Sequence, residues 1–397
     1  VNSSPTTSTQ RIDILDILRG VSLLGILLVN MFAFSTPLPH IDLKTWFTVP
    51  ADKEFQKWLD ILVQGSFYPL FSMLFGYGLA MQYSKATCLG DSFYKLGIKR
   101  LVFLFLIGIF HALFIWWGDI LMTYAFCGFI LMTLIRLRPG FLLAISLIFY
   151  TVINGFMALL TELTVLGNPS SSDMSQFIDI EGVENAIKAY GSGTWTEAFT
   201  QRLTDLSIQF SLQMWIMSLF TILPYMLIGA AASKWRLIEK AKNRLNLWLI
   251  LATTMIPIGI VLKSFPYTMN RNIFIDYIQA YFGGPMLALG YVSLFVLICC
   301  IPYATKLLSP IAKAGRMSLT IYMMQSIVGT FIFYHYGLGL YGKIGVDTAT
   351  GLAVGIYVIQ LVFATIWFML FKQGPIEAVW KRITYGKTVL KKEEINH

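Results

Sequence analysis

Apolar runs of about twenty residues, each long enough to cross a hydrocarbon core of about 30 Å, recur ten times along this chain. They lie near residues 17–34, 58–83, 101–117, 120–137, 140–166, 207–233, 245–264, 279–301, 317–340 and 350–372. In lipid the backbone must satisfy its own hydrogen bonds, and an open chain does so only as a helix. Charged residues make up 13% of the chain, about half the share usual in soluble domains. The expectation is an all-α fold, a polytopic membrane helical bundle with about ten transmembrane helices.

An even number of spans puts both termini on one side. The termini and connections on that side hold 22 of the 30 Lys and Arg residues, so the positive-inside bias predicts both termini to be cytoplasmic. Orientation and anionic membrane lipid account for the net charge of +9. No nucleic-acid partner is called for. Cys88, Cys127, Cys299 and Cys300 show neither C-x-x-C nor metal-ligand spacing, so no metal site is expected. The first span carries Asp13, Asp16 and Arg19 at its start and is longer than a signal-peptide core of roughly 7 to 15 residues, so it is read as retained.

Short connections predict a single transmembrane bundle over 1–373, followed by a basic cytoplasmic tail, 374–397. One connection is long. Residues 167–206, expected outside the membrane, start with the loop-forming run Asn168-Pro169-Ser170-Ser171-Ser172-Asp173 and are acidic, with only Lys188 and Arg202 as cations. This insertion reads as a solvated loop with one or two surface helices, or more sharply as a lid or acceptor-binding element. Helix breakers at Tyr68-Pro69, Pro224, Pro257 and Gly283-Gly284-Pro285 point either to packing kinks or to a cavity that re-satisfies the freed backbone. No internal repeat of the transporter type is evident.

Polar groups inside such runs are costly unless they face protein or water, which makes them functional candidates. His111 and Asp119 bracket the turn between the third and fourth spans. On a continuous helix they would stand about 12 Å apart and about 80° out of phase, so contact requires the chain to bend at Trp117-Gly118. A carboxylate that fixes the tautomer of a neutral His is the usual general-base arrangement; the plainer alternative is a packing histidine. In the first span Asp16, Arg19 and Asn30 fall within about 60° of one another on one helical face. Asp16 and Arg19 also fit a simple interfacial ion pair. Tyr322, Gln325 and Ser326 share a face of the ninth span, as ligand contacts or as polar glue between helices. His40 and His335 read as surface residues.

These residues carry a resemblance. Leu15-Asp16-Ile17-Leu18-Arg19-Gly20 with Asn30, Leu70-Phe71 to Phe75-Gly76, Gly108 to His111 with Gly118-Asp119 to Tyr124, Gly315-Arg316 to Gln325-Ser326, and Gly374-Pro375-Ile376-Glu377 resemble the YeiB family of bacterial membrane proteins over nearly the full chain. That family looks related to a transmembrane acyltransferase superfamily including heparan-alpha-glucosaminide N-acetyltransferase and bacterial sugar O-acyltransferases. The resemblance implies a protein of the bacterial cytoplasmic membrane that takes an acyl group from cytoplasmic acyl-CoA, acetyl-CoA or longer. The acceptor would be a hydroxyl or amine on a lipid-linked, cell-wall or small molecule. A homo-oligomer is compatible with this.

In this reading His111 is the general base, Asp119 orients it and Asn30 donates to the developing oxyanion. Arg19, Arg100 and Arg316 hold the CoA phosphates. Tyr124, Tyr322, Gln325, Ser326 and His40 are candidates for substrate contact. The O-acyltransferases place a catalytic His eleven positions after the first-span Arg, where this chain has Asn30; the glucosaminide enzyme has Asn there and its active His further on, where this chain offers His40. The base is therefore His111 or His40. Ser66 stands where many YeiB-like sequences have a basic residue. The alternative from another class is a transporter or lipid flippase in which His111 and Asp119 relay protons.

Overall fold

The computed structural model describes residues 12–88, 92–167 and 178–385. Among them every regular element is a helix. The chain opens with α1 (Asp13–Ser35), then α2 (Leu43–Trp46), α3 (Pro50–Leu62), α4 (Phe67–Cys88), α5 (Phe93–Phe114), α6 (Leu121–Leu134) and α7 (Pro139–Gly167). The insertion supplies α8 (Ile180–Gly191) and α9 (Trp195–Gln209). The second half runs through α10 (Leu212–Lys234), α11 (Leu245–Thr268), α12 (Ile273–Ile278), α13 (Gly284–Cys300), α14 (Ala304–Leu307) and α15 (Ser309–Arg316). It ends in α16 (Ser318–Phe333), α17 (Val346–Leu370) and α18 (Pro375–Tyr385).

Eight helical segments among the described residues are long and apolar enough to cross a membrane, and α6 and α16 are shorter apolar helices. The runs at 120–137 and 317–340 are thus only partly helical. α6 has 14 residues, about 21 Å of rise, because the chain spends 115–120 on a bend before it. On α7, Ile148, Val152, Phe156 and Leu159 form a helical stripe, each more than half exposed. Outward apolar surface of this kind fits lipid.

α1 is the central helix, packed against α4, α15, α16 and α17. Its contact with α15 is backbone to backbone: a Cβ on Gly20 would strike the carbonyl oxygen of Ile311, and one on Gly315 would strike that of Asp16. Small residues allow such approach. Of the predicted breaks, the one at Gly283-Gly284-Pro285 follows a π-helical turn, Gln279–Gly283, a distortion frequent at functional sites. Pro224 lies within α10, and its carbonyl accepts a hydrogen bond from Ser146 Oγ at 2.7 Å.

The insertion is more than a solvated loop. Tyr190, Arg202 and Asp205 are buried; Asp179 caps α8 and Thr194 with Glu197 forms a capping box on α9. The run from Asn168 to Asp173 lies outside the described residues. Of the tail, α18 packs against α5 and α16, and 386–397 lie outside the described residues.

Candidate functional site

Two cavities meet inside the bundle. The near cavity, about 460 Å³, opens at the end where α1 begins and is lined by Asp16, Arg19, Lys85, Arg100, Arg316 and Glu377 among others. The far cavity, about 820 Å³, lies towards the other end of α1 and includes Asn30, Lys44, Asp60, Asp119, Lys263 and Arg271 in its wall. Ile26, Ile120 and Tyr322 line both. A thin wall of three side chains therefore belongs to both spaces.

The predicted bend is present beside that wall. α5 stops at Phe114, and the amides of Ile115 and Trp116 both donate to His111 O at 2.9 Å. The chain then returns, and Asp119 Oδ1 accepts from Met122 N at 2.9 Å to start α6. This leaves Asp119 Oδ2 2.9 Å from His111 Nδ1, with His111 0% and Asp119 1% exposed. A carboxylate at Nδ1 favours the tautomer whose Nε2 carries the lone pair. His111 Nε2 is buried without a hydrogen-bond partner. The imidazole packs on Tyr322, ring centroids 5.2 Å apart, and Tyr322 Oη reaches Gly118 O at 3.4 Å. His111 lines neither cavity, whereas Tyr322, packed on it, lines both.

In the near cavity Arg19 Nη1 donates to Asp16 Oδ1 at 2.9 Å, so the interfacial pair exists and faces a cavity. The Arg100 guanidinium sits 4.3 Å over the Trp380 ring and that of Arg316 4.3 Å over Phe368. The three arginines, from α1, α5 and α15, line this one cavity. Glu377, quoted in a motif but given no role there, accepts from Leu319 N at 2.8 Å and Thr320 Oγ1 at 2.6 Å, capping α16 from α18. Tyr124 lines this cavity, its hydroxyl donating to Tyr68 O at 3.2 Å.

Two expectations need correction. Gln325 and Ser326 line neither cavity: Gln325 Nε2 donates to Leu23 O at 3.3 Å and to Gln360 Oε1 at 3.1 Å, and Ser326 Oγ to Tyr322 O at 3.4 Å. One turn beyond Tyr322 they already lie between α1, α16 and α17, where they act as interhelical glue. His40 is no surface residue, being 4% exposed, and it contacts no part of the dyad. Its Nδ1 lies 2.9 Å from Asp179 Oδ2 and its Nε2 3.2 Å from Asp205 Oδ1. His335 is half-buried, and its backbone amide donates to Tyr190 O at 2.7 Å.

With carboxylates at both ring nitrogens, His40 favours its doubly protonated form. The hydrogen bond to Asp205 is the main cause holding its pKa above the ordinary value; burial opposes it and Asp179 adds to it. A raised folded value means that the clasp is full below about pH 6.5 and fades as pH rises through the folded pKa. Limited proteolysis within the insertion should accordingly speed up as pH is raised from 6 through the folded pKa, and His40→Gln should erase that rise. A rate in the unaltered protein that matches that of His40→Gln at every pH would rule the clasp out.

The far cavity holds a network that the sequence reading did not single out. Arg271 pairs with Asp42 at 2.6 Å and with Asp276 at 2.9 Å, and Lys44 Nζ stands 2.7 Å from Asp276 and 3.6 Å from Asp60. Lys263 Nζ donates to Gln64 O at 2.7 Å and lies 3.7 Å from Asp60. Gln279, on the π-helical turn, donates to Asp60 Oδ2 at 2.7 Å. Lys263 thereby brings a cation to the turn that contains Ser66, where a basic residue was expected.

The family described as "Protein of unknown function (DUF418)" matches residues 230–387. "Uncharacterized protein YxaH" of Bacillus subtilis (strain 168) is 33% identical, with 96% of each chain covered. "Uncharacterized protein YeiB" of Escherichia coli (strain K12) is 30% identical over 93% of this chain and 95% of its own length. "Uncharacterized 39.9 kDa protein in amylase 3'region" of Bacillus acidopullulyticus is 29% identical over 98% of this chain and 99% of its own. These matches extend over nearly the whole chain rather than one segment, and the chain belongs to the YeiB-like family.

Proposed function

We propose that this protein is an acyltransferase that draws an acyl group from acyl-CoA in the near cavity and delivers it to a hydroxyl or amine held in the far cavity. The observation that carries this reading is the pair of cavities sharing Tyr322, with the His111–Asp119 pair directly behind that side chain. The near end faces the cytoplasm of the bacterial membrane, in keeping with the excess of Lys and Arg on the connections at that end. Arg19, Arg100 and Arg316 bind the diphosphate and phosphate of CoA by charge-assisted hydrogen bonds.

The thioester reaches past Tyr322 as its ring swings aside. His111 Nε2 takes the proton of the acceptor O–H or N–H, the acceptor atom bonds to the thioester carbonyl carbon, and the C–S bond breaks. The proton passes to the leaving thiolate, so that an ester or amide and free CoA thiol are the products. Asp119 stabilises the intervening imidazolium, and Asn30 in the far cavity donates to the carbonyl oxygen as it gains charge.

Thiol release from acyl-CoA by the purified protein tests the reaction, and Arg19→Ala tests the donor site. Loss of a charge-assisted hydrogen bond should weaken acyl-CoA binding roughly ten- to a hundredfold. Unchanged affinity would remove Arg19 from that role. The second reading, a proton-coupled transporter, draws on the Asp60–Lys263–Lys44 network, since paired ionisable groups inside a bundle also serve as relays. It predicts proton flux in proteoliposomes with no thiol released.

A further inference from the structure

The dyad is braced from outside its own helices. In a continuing helix Leu113 O would accept from Trp117 N; at the bend that carbonyl instead accepts from Arg202 Nη1 of α9 at 2.9 Å. Arg202 is 1% exposed. Its cation therefore sits at the C-terminal end of α5, where the helix dipole and the orphan carbonyls favour positive charge. The other end of the bend is held by the same helix: Gln209 Nε2 donates to Asp119 O at 2.9 Å. Two side chains seven residues apart on α9 thus grip the bend six residues apart, on either side of its turn. α9 is itself anchored through Asp205, which accepts from Gln201 Nε2 at 2.9 Å and Tyr190 Oη at 2.6 Å and contacts His40.

We infer that Arg202 and Gln209 are positioning residues that hold the 113–119 bend so that Asp119 stays in register with His111. The inference rests on the proposed role of His111 only for its catalytic consequence; the geometry of the brace stands apart from it. A loosened bend exposes an imidazole that is otherwise fully buried. Labelling of His111 by diethyl pyrocarbonate, read by mass spectrometry of its peptide, reports this without any substrate.

Arg202→Met and Gln209→Leu should each raise the labelling rate of His111 by about tenfold, the effect of one lost hydrogen bond on a local opening equilibrium. Arg202→Lys, which keeps a cationic donor, should restore most of the protection. In thiol-release assays the first two should lower kcat with the KM for acyl-CoA unchanged. Unchanged labelling in both variants overturns the inference. Should Arg202→Met fail to fold, Gln209→Leu decides alone: faster labelling supports the brace, and the wild-type rate overturns it. Faster labelling in a protein whose unaltered form releases no thiol leaves the brace standing and sinks the acyltransfer reading.

Discussion

His111→Gln should bind acyl-CoA as the unaltered protein does and release thiol more slowly by a factor of about 10² to 10⁴, the usual worth of a positioned general base. The glutamine amide fills much of the same space and can still donate towards Asp119, so the bend survives while the lone pair at Nε2 is lost. Asp119→Asn should fall close to it. Its remaining carbonyl oxygen can still accept from Met122 N and start α6, but an amide cannot stabilise the imidazolium. His40→Gln should lose far less, because His40 acts on the insertion through Asp179 and Asp205 and does not reach the dyad. Full turnover in His111→Gln with loss in His40→Gln would transfer the base to His40.

Much of this site can be read from residue chemistry in a setting where mistakes are expensive. An imidazole and a carboxylate in an apolar run need partners, and for these two to meet across an eight-residue gap the chain has to bend at Trp117-Gly118, as it does in the structure. The helical phase of Asp16, Arg19 and Asn30 likewise anticipated a polar face on α1. It did not anticipate that this face would be divided between two cavities, since the division depends on Tyr322 from α16 and Ile120 from the bend.

The far network divides along the same line. Asp60 and Lys263 lie inside the apolar runs 58–83 and 245–264, so the rule that marked His111 also marks them. Lys44, Arg271 and Asp276 come from connections, where charge is ordinary, and their convergence is a matter of tertiary structure. His40 was misread for that reason: Pro37-Leu38-Pro39 signals a loop, and its two carboxylates come from 139 and 165 residues further on. Arg202 gave no local signal, because it belongs to a polar, solvated-looking segment. Counting apolar runs also overstates α6, since hydropathy registers the residues of the bend but not that they leave the helix.

Gly315→Val should reduce acyl-CoA affinity by at least as much as Arg19→Ala, and should destabilise the protein as well. A Cβ at Gly315 would run into Asp16 O and the amide of Gly20, both backbone atoms of α1. A flexible side chain could yield to such a collision; two helix backbones cannot without moving apart. The expected cost is about 1–3 kcal/mol or more, as for other overpacked contacts, and it falls on the helix pair that brings Asp16 and Arg19 of α1 into one cavity with Arg316, which ends α15. Gly20→Val meets Ile311 O from the opposite direction and should behave alike. Gly140→Val and Gly155→Val serve as controls, since nothing lies within 4 Å of a Cβ built at either position. Thermal unfolding together with acyl-CoA titration checks the whole set, and unaltered stability and affinity in Gly315→Val would show that α1 and α15 can part without disturbing the arginines. Both glycines stand beside arginines in the sequence, as Arg19-Gly20 and Gly315-Arg316. That adjacency has a physical reason: the close backbone crossing is what sets the two guanidinium groups into one space.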